Sequence, residues 1–268
     1  MSVSRSPLVI AHRGSSHAVA EHTLAAYAQA IEEGADALEC DVRLTRDGHL
    51  VCVHDRRIDR TSNGRGPVSE FELADLYGLD FASWHGTRAV GYPGEPPEPP
   101  PPTAVLTLEE LLGVVVDAPR PVRMLVETKH PTRYAGLVEQ QLVRTLRRFG
   151  LDNQPDRDAA TVTVMSFAPI GIRRIRLLAP SLPTVLLMDR VPPIRRDGSL
   201  PAGVGIAGPG IRVIRAHPGY VARAHARGHR VYVWTVDEPD DVELVLALGV
   251  DAVITNRPVQ VLRRLGRR

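Results

Sequence analysis

The sequence is poor in cysteine, in aromatic residues and in net charge. Only two of its 268 residues are cysteines, which excludes a disulfide-rich scaffold and fits a reducing compartment, so we expect a cytoplasmic protein. Cys40 and Cys52 lie on neighbouring predicted strands and could pair, but buried free thiols fit such a compartment better. Aromatic residues make up 4% of the chain, and its arginines are scattered between apolar positions at a net charge of +2. This pattern argues against nucleic acid as the main partner.

Long apolar segments are also missing from the sequence. Residues 1–7 are mostly polar and lead straight into a strand-like run, so the sequence predicts neither a signal peptide nor a stable membrane anchor. A hydrophobic content of 43% over this length is enough for one sizeable core. We therefore expect a single domain over residues 1–268.

Short β-rich runs alternate with longer helical patterns along the chain. Strands are predicted at residues 8–12, 37–44, 50–54, 123–129, 161–166, 184–188, 230–235 and 252–255. Helices are predicted at residues 23–33, 108–116, 135–149, 171–178, 220–227 and 240–248, and glycine follows four of them. This alternation predicts an α/β fold, a TIM-type (β/α)8 barrel whose chemistry lies at the carboxyl ends of its strands.

One connection is too short for the repeating unit of such a barrel. Residues 45–48 read as a turn, because parallel strands need a crossover of a dozen or more residues. The third strand should therefore fold back along the second and bring His54 near Glu39 and Asp41. After it we expect a small irregular insertion at about residues 56–103. The insertion ends in a proline-rich stretch, residues 95–102, which we interpret as a stiff spacer rather than as an SH3-type ligand.

Carboxylates and histidines gather at the ends of these first three strands. Glu39 and Asp41 share one face of the second strand, whereas Cys40 points to the other face. His12 and His54 end the first and third strands. Carboxylate ligands suit a hard divalent cation, Mg²⁺ or Ca²⁺, and two histidines beside it could act as an acid/base pair.

Two later strands also carry residues that could take part in binding or catalysis. Lys129 is the single lysine among 33 lysines and arginines, and it shares a strand face with Glu127. A chain so rich in arginine should keep a lysine where a planar guanidinium does not fit. Trp234 either packs in the barrel or forms a wall for a substrate group. The remaining histidines are interpreted as structural, with His22 the foremost exception because it lies in a loop at the barrel mouth.

The order of these motifs resembles the glycerophosphodiester phosphodiesterase family over nearly the whole chain. The N-terminal part of the resemblance is carried by His12-Arg13-Gly14, Glu21-His22-Thr23, Glu39-Cys40-Asp41, Leu44-Thr45-Arg46-Asp47-Gly48 and His54-Asp55. The later part is carried by Thr107-Leu108-Glu109-Glu110, Glu127-Thr128-Lys129, Ser166-Phe167, Val233-Trp234-Thr235-Val236 and Ile254-Thr255-Asn256-Arg257-Pro258.

The resemblance implies a barrel enzyme that hydrolyses small-molecule glycerophosphodiesters to glycerol 3-phosphate and an alcohol with a divalent metal ion. Carried over by position, it implies that Glu39, Asp41 and Glu127 bind the metal and that His12 and His54 are catalytic. It also implies that Arg13 and Lys129 hold the phosphate. One departure concerns the family's usual Pro-Glu-Asn-Thr, which here reads Ala20-Glu21-His22-Thr23.

Two alternative functions remain open at this point. A lysophospholipase D-like lipid phosphodiesterase would need an apolar surface near the barrel mouth. Residues of the insertion could supply it or could form a small core of their own: Phe71, Leu73, Leu76, Tyr77, Leu79, Phe81 and Trp84. A catalytically silent phosphoglycerol-binding module is the other alternative, and the presence of both histidines and all three carboxylates argues against it.

Overall fold

Eight parallel strands form a closed barrel in the computed structural model, which describes residues 6–86, 103–133 and 135–267. The strands of the chain are β1 (Leu8–His12), β2 (Ala37–Leu44), β3 (Leu50–Cys52), β4 (Arg123–Thr128), β5 (Val162–Ser166), β6 (Thr184–Met188), β7 (Ile206–Pro209), β8 (Arg230–Val233) and β9 (Ala252–Thr255). All of them except β3 belong to the barrel, and β1 closes it by pairing in parallel with both β2 and β9. The predicted TIM-type barrel is confirmed.

Helices cover the outside of the barrel. They are α1 (Leu24–Glu32), α2 (Leu73–Tyr77), α3 (Leu108–Val116), α4 (Leu137–Arg148), α5 (Pro169–Leu178), α6 (Ile211–Ala216), α7 (Tyr220–Ala226), α8 (Pro239–Ala247) and α9 (Pro258–Arg264). Helix α3 begins with a capping box, in which Thr107 and Glu110 satisfy each other's backbone N–H groups. Positive φ angles confirm the predicted helix ends at Gly34, Gly150, Gly228 and Gly249. No helix of the described residues is long and apolar enough to cross a membrane.

The predicted third strand is not a barrel strand. Strand β3 pairs antiparallel with β2, with Val42 opposite Cys52, as expected for the hairpin. The sequence pattern predicts only seven of the eight barrel strands, and the one that it missed is β7. Its sequence Ile-Ala-Gly-Pro is short and ends in two residues that are rare inside strands, so it carries little strand signal.

The segment that follows β3 has its own small core. Phe71, Leu73, Leu76, Leu79 and Phe81 pack there with Val51 and Ile58, whereas Tyr77 and Trp84 are exposed. Most of the apolar residues that could have formed a lipid-binding surface are therefore used in this core. The predicted proline-rich spacer lies outside the described residues.

Candidate active site

The register of the barrel strands brings the predicted site residues together. His12 at the end of β1 lies beside Glu39 of β2, and Asp41 lies beside Glu127 of β4. His54 follows β3, and Lys129 follows β4. Both histidines, Arg13, Glu39, Glu127, Lys129 and Trp234 line one cavity of about 110 Å³, and Asp41 is buried beside it.

Three buried carboxylates form the centre of this site. One oxygen atom from each of Glu39, Asp41 and Glu127 lies within 4.8 Å of the others, so the group could hold a metal ion. Burial, followed by the neighbouring Asp41, raises the pKa of Glu127 to about 8. The same two causes raise the pKa of Glu39 well above its usual range. Burial and the neighbouring carboxylate both disfavour the ionised form of these two side chains.

Two cationic side chains contact the carboxylates directly. The Nζ atom of Lys129 lies 2.9 Å from Asp41 Oδ1 and 2.8 Å from Glu127 Oε1, and Arg13 Nε lies 3.1 Å from Asp41 Oδ2. Burial raises the pKa of Asp41, but Lys129, the hydrogen bond from His22 and Arg13 outweigh it, so the pKa lies well below its usual range.

The donor set fits a hard cation. Three carboxylates face two cationic side chains, which leaves one negative charge uncompensated when all are ionised. Glu39 Oε2 accepts a hydrogen bond of 3.0 Å from the backbone N–H of Arg13, but the buried Glu39 Oε1 has no hydrogen-bond partner among the described residues. A buried carboxylate oxygen with no donor is a suitable ligand for Mg²⁺ or Ca²⁺.

His12 is held by an acceptor that fixes the position of its ring proton. Its Nδ1 atom lies 2.7 Å from Asn256 Oδ1, and the amide group of Asn256 donates through Nδ2 to Asp237 Oδ2 at 2.6 Å. Because an ionised carboxylate only accepts, the amide oxygen must face His12, and His12 must carry its proton on Nδ1. The Nε2 atom is then unprotonated, and it lies 4.0 Å from Glu39. Burial, helped by the charge of Arg13, lowers the pKa of His12 to about 3.

His54 has a similar arrangement. Its Nδ1 atom lies 2.7 Å from Asp55 Oδ1, which leaves Nε2 available. Arg60 donates to the other oxygen of Asp55 at 2.6 Å and also contacts Glu21, which in turn binds Arg13 at 3.0 Å. Burial lowers the pKa of His54 below its ordinary value.

His22, the foremost exception among the histidines interpreted as structural, contacts the carboxylate group. Its Nε2 atom donates to Asp41 Oδ2 at 3.0 Å, and its Nδ1 atom lies 2.8 Å from the hydroxyl of Tyr27. The φ angle of His22 is +61°, a left-handed conformation in which asparagine and histidine are enriched. The family's asparagine and this histidine therefore suit the same backbone.

The loop that follows β1 has an unusual backbone. Arg13 has a φ angle of +59° and Gly14 one of +84°, and this turn directs the Arg13 side chain to Asp41. A Cβ atom at position 14 would lie 2.6 Å from the backbone of Ala26, so only glycine fits there. Strained conformations of this kind cluster at functional sites.

An aromatic wall borders the other side of the cavity. Phe167 and Trp234 meet edge to face, with ring centroids 5.2 Å apart. The indole N–H of Trp234 donates to the carbonyl of Gly208 at 2.7 Å, which fixes the ring. Trp234 packs in the barrel and also lines the cavity, and its role as a wall for a substrate group stays a prediction.

Sequence comparison identifies the family. Residues 12–260 match the model of the glycerophosphoryl diester phosphodiesterase family. The chain belongs to this family. It is 46% identical over 253 residues to the Mycobacterium tuberculosis protein named "Probable glycerophosphodiester phosphodiesterase 1", covering 94% of this chain and 90% of that protein. It is 32% identical over 256 residues to the glycerophosphodiester phosphodiesterase of Bacillus subtilis, with 94% and 84% covered.

Solved structures of other proteins share the barrel of this chain. An Oleispira antarctica phosphodiesterase in complex with the product sn-glycerol-3-phosphate matches with a TM-score of 0.80 at 23% identity, over 97% of each chain. The glycerophosphodiester phosphodiesterase of Agrobacterium tumefaciens matches with a TM-score of 0.76 at 21% identity, over 96% of this chain and 100% of that chain. These similarities establish the fold.

Proposed function

We propose that this protein is a metal-dependent glycerophosphodiester phosphodiesterase that releases glycerol 3-phosphate and an alcohol. The observation that carries the proposal is the buried group of Glu39, Asp41 and Glu127 between two histidines with available Nε2 atoms. The family match and the names of the curated relatives support the same reaction.

Glu39, Asp41 and Glu127 would hold the metal ion, with Mg²⁺ or Ca²⁺ as the candidates, because all three ligands are carboxylates. A bound cation offsets the negative charge that develops on the nonbridging phosphate oxygens. Lys129 and Arg13, which already contact this carboxylate group, would hold the phosphate from the protein side.

His12 and His54 would move the protons of the reaction. Both present Nε2, because their Nδ1 atoms are bound by Asn256 and Asp55. One Nε2 atom takes the proton of the attacking hydroxyl group, and the other imidazole, protonated on Nε2, gives a proton to the leaving alkoxide. Trp234 and Phe167 would form the wall against which the glycerol carbons lie.

The alternative functions gain no comparable support. The core formed by Phe71, Leu76 and Phe81 removes most of the surface proposed for a lipid phosphodiesterase. A silent binding module would not need two imidazoles that line the same cavity and have their Nδ1 atoms bound. A cytoplasmic location stays a prediction, supported by the buried free thiols of Cys40 and Cys52.

Release of glycerol 3-phosphate from glycerophosphocholine, measured with and without chelator, tests the proposal. We expect activity to vanish in chelator and to return with Mg²⁺ or Ca²⁺, and Glu127→Gln to raise the metal concentration required. Full activity in metal-free buffer would contradict the metal site. No product at any metal concentration from a folded protein would favour the binding module.

A further inference from the structure

A second and larger cavity opens beside the active site. It measures about 360 Å³, within the range of small-molecule sites, and Lys129 lines both cavities. Its other charged lining residues are Arg43, Arg56, Arg133 and Glu70. The active-site cavity measures about 110 Å³, so the neighbouring cavity offers the larger space for the alcohol part of a diester.

The charge of this second cavity is positive. Arg43 and Arg56 line it beside a single carboxylate, Glu70, while Lys129 is already compensated by Asp41 and Glu127. Neither Arg43 nor Arg56 has a carboxylate within ion-pair distance in the part of the chain that the structure describes. Arginines without a carboxylate partner are available for an anionic ligand.

Arg43 connects this cavity to the reaction site. It lies on the same face of β2 as Glu39 and Asp41, because strand residues alternate sides. Its guanidinium donates through Nε and Nη2 to the backbone carbonyl of His54 at 2.9 and 2.7 Å. Arg43, which lines the cavity, therefore contacts the backbone of His54, one of the two residues proposed to move protons.

We propose that this cavity is the subsite for the alcohol part of the substrate and that it selects an alcohol bearing its own anionic group, such as a second phosphate. The proposal rests on the proposed function. Arginine pairs with phosphate through parallel N–H groups, whereas a cationic alcohol such as choline meets the like charges of Arg43 and Arg56 there.

A matched pair of substrates isolates the anionic group. Glycerophosphoinositol and glycerophosphoinositol 4-phosphate differ only by one phosphate on the alcohol, and glycerophosphocholine serves as the cationic reference. We expect kcat/KM to be at least about tenfold higher for the phosphorylated member of the pair at low salt, with the preference falling as salt rises.

Two variants that remove charges of opposite sign from the cavity test whether it causes the preference. Arg56→Gln should lower the ratio of the two kcat/KM values, and Glu70→Gln should raise it. Arg173→Gln makes the same charge change on an exposed position of α5 and should leave the ratio unchanged.

Each outcome separates this proposal from the proposed function. Release of glycerol 3-phosphate at a ratio near one, or a ratio that responds equally to Arg56→Gln and Arg173→Gln, overturns the subsite and leaves the activity standing. Absence of product from all three substrates overturns the activity itself. Arg56 and Glu70 are exposed, and the melting temperature verifies that both variants fold. Either variant alone shows whether the ratio of the two kcat/KM values changes in the expected direction.

Discussion

Replacement of Asn256 by alanine should slow turnover because it removes the group that fixes the ring proton of His12. The amide oxygen of Asn256 is the acceptor for Nδ1 of His12 at 2.7 Å, and Asp237 holds that amide in one orientation. Without this acceptor the ring proton can move to Nε2, and His12 then loses the unprotonated Nε2 atom through which it would exchange a proton in the reaction.

The size of the effect follows from the contacts that are lost. A neutral hydrogen bond contributes about 0.5–1.5 kcal/mol, which corresponds to roughly 2- to 12-fold in rate. The unproductive tautomer adds to this loss, so we expect kcat to fall by about 10- to 100-fold, the usual range for a residue that orients a functional histidine. KM should change little, since Asn256 is not among the residues that line the cavity.

Steady-state kinetics on glycerophosphocholine, melting temperature and ¹⁵N chemical shifts of the His12 ring test this reasoning together. The variant Asp237→Asn should give a smaller loss, because it leaves Asn256 in place but no longer fixes its amide orientation. The double variant should lose less than the sum of the two single losses. A folded Asn256→Ala protein with kcat within twofold of wild type, or with the His12 proton still on Nδ1, would refute the argument.

Three further predictions concern residues around the carboxylates. His22→Ala should weaken metal binding about 10- to 100-fold, because Asp41 loses one of its three partners, whereas His22→Asn should stay near wild type; metal titration of activity compares the two. Lys129→Arg should keep the melting temperature yet lose at least about tenfold in kcat/KM, near 1.4 kcal/mol, because a guanidinium does not fit between Asp41 and Glu127; kinetics equal to wild type would count against this. His12→Ala and His54→Ala should each lower kcat by roughly 10² to 10⁴ while metal binding, measured by calorimetry, is retained, and near-normal turnover in either variant would assign that histidine a structural role.

Strong local patterns allowed most of the barrel to be predicted. Strands β1, β2, β6 and β9 begin and end where the sequence predicted, since each is a run of β-branched or apolar residues bounded by polar or turn residues. Strand β7 was missed because its Gly-Pro end contradicts local propensity, and only its pairing with β6 and β8 makes it a strand.

The site residues also fall into those that could be predicted from the sequence and those that could not. Residues at strand ends could be predicted because a barrel brings those ends together. The role of Asn256 could not, since its contact with His12 spans 244 positions of the chain, and its motif contributed only to the resemblance. The contact between His22 and Asp41 depends on a left-handed backbone conformation that histidine only occasionally adopts, so it was also not predictable.

The closure of the barrel determines when the active site becomes complete during synthesis on the ribosome. His12 ends the first strand, and its partner Asn256 directly follows the last, because β1 pairs with β9. A nascent chain that has emerged as far as Lys129, directly after β4, already contains all three carboxylates and both imidazoles. It still lacks the acceptor that orients His12. Full turnover therefore requires that synthesis has passed β9, so that Asn256 can bind His12.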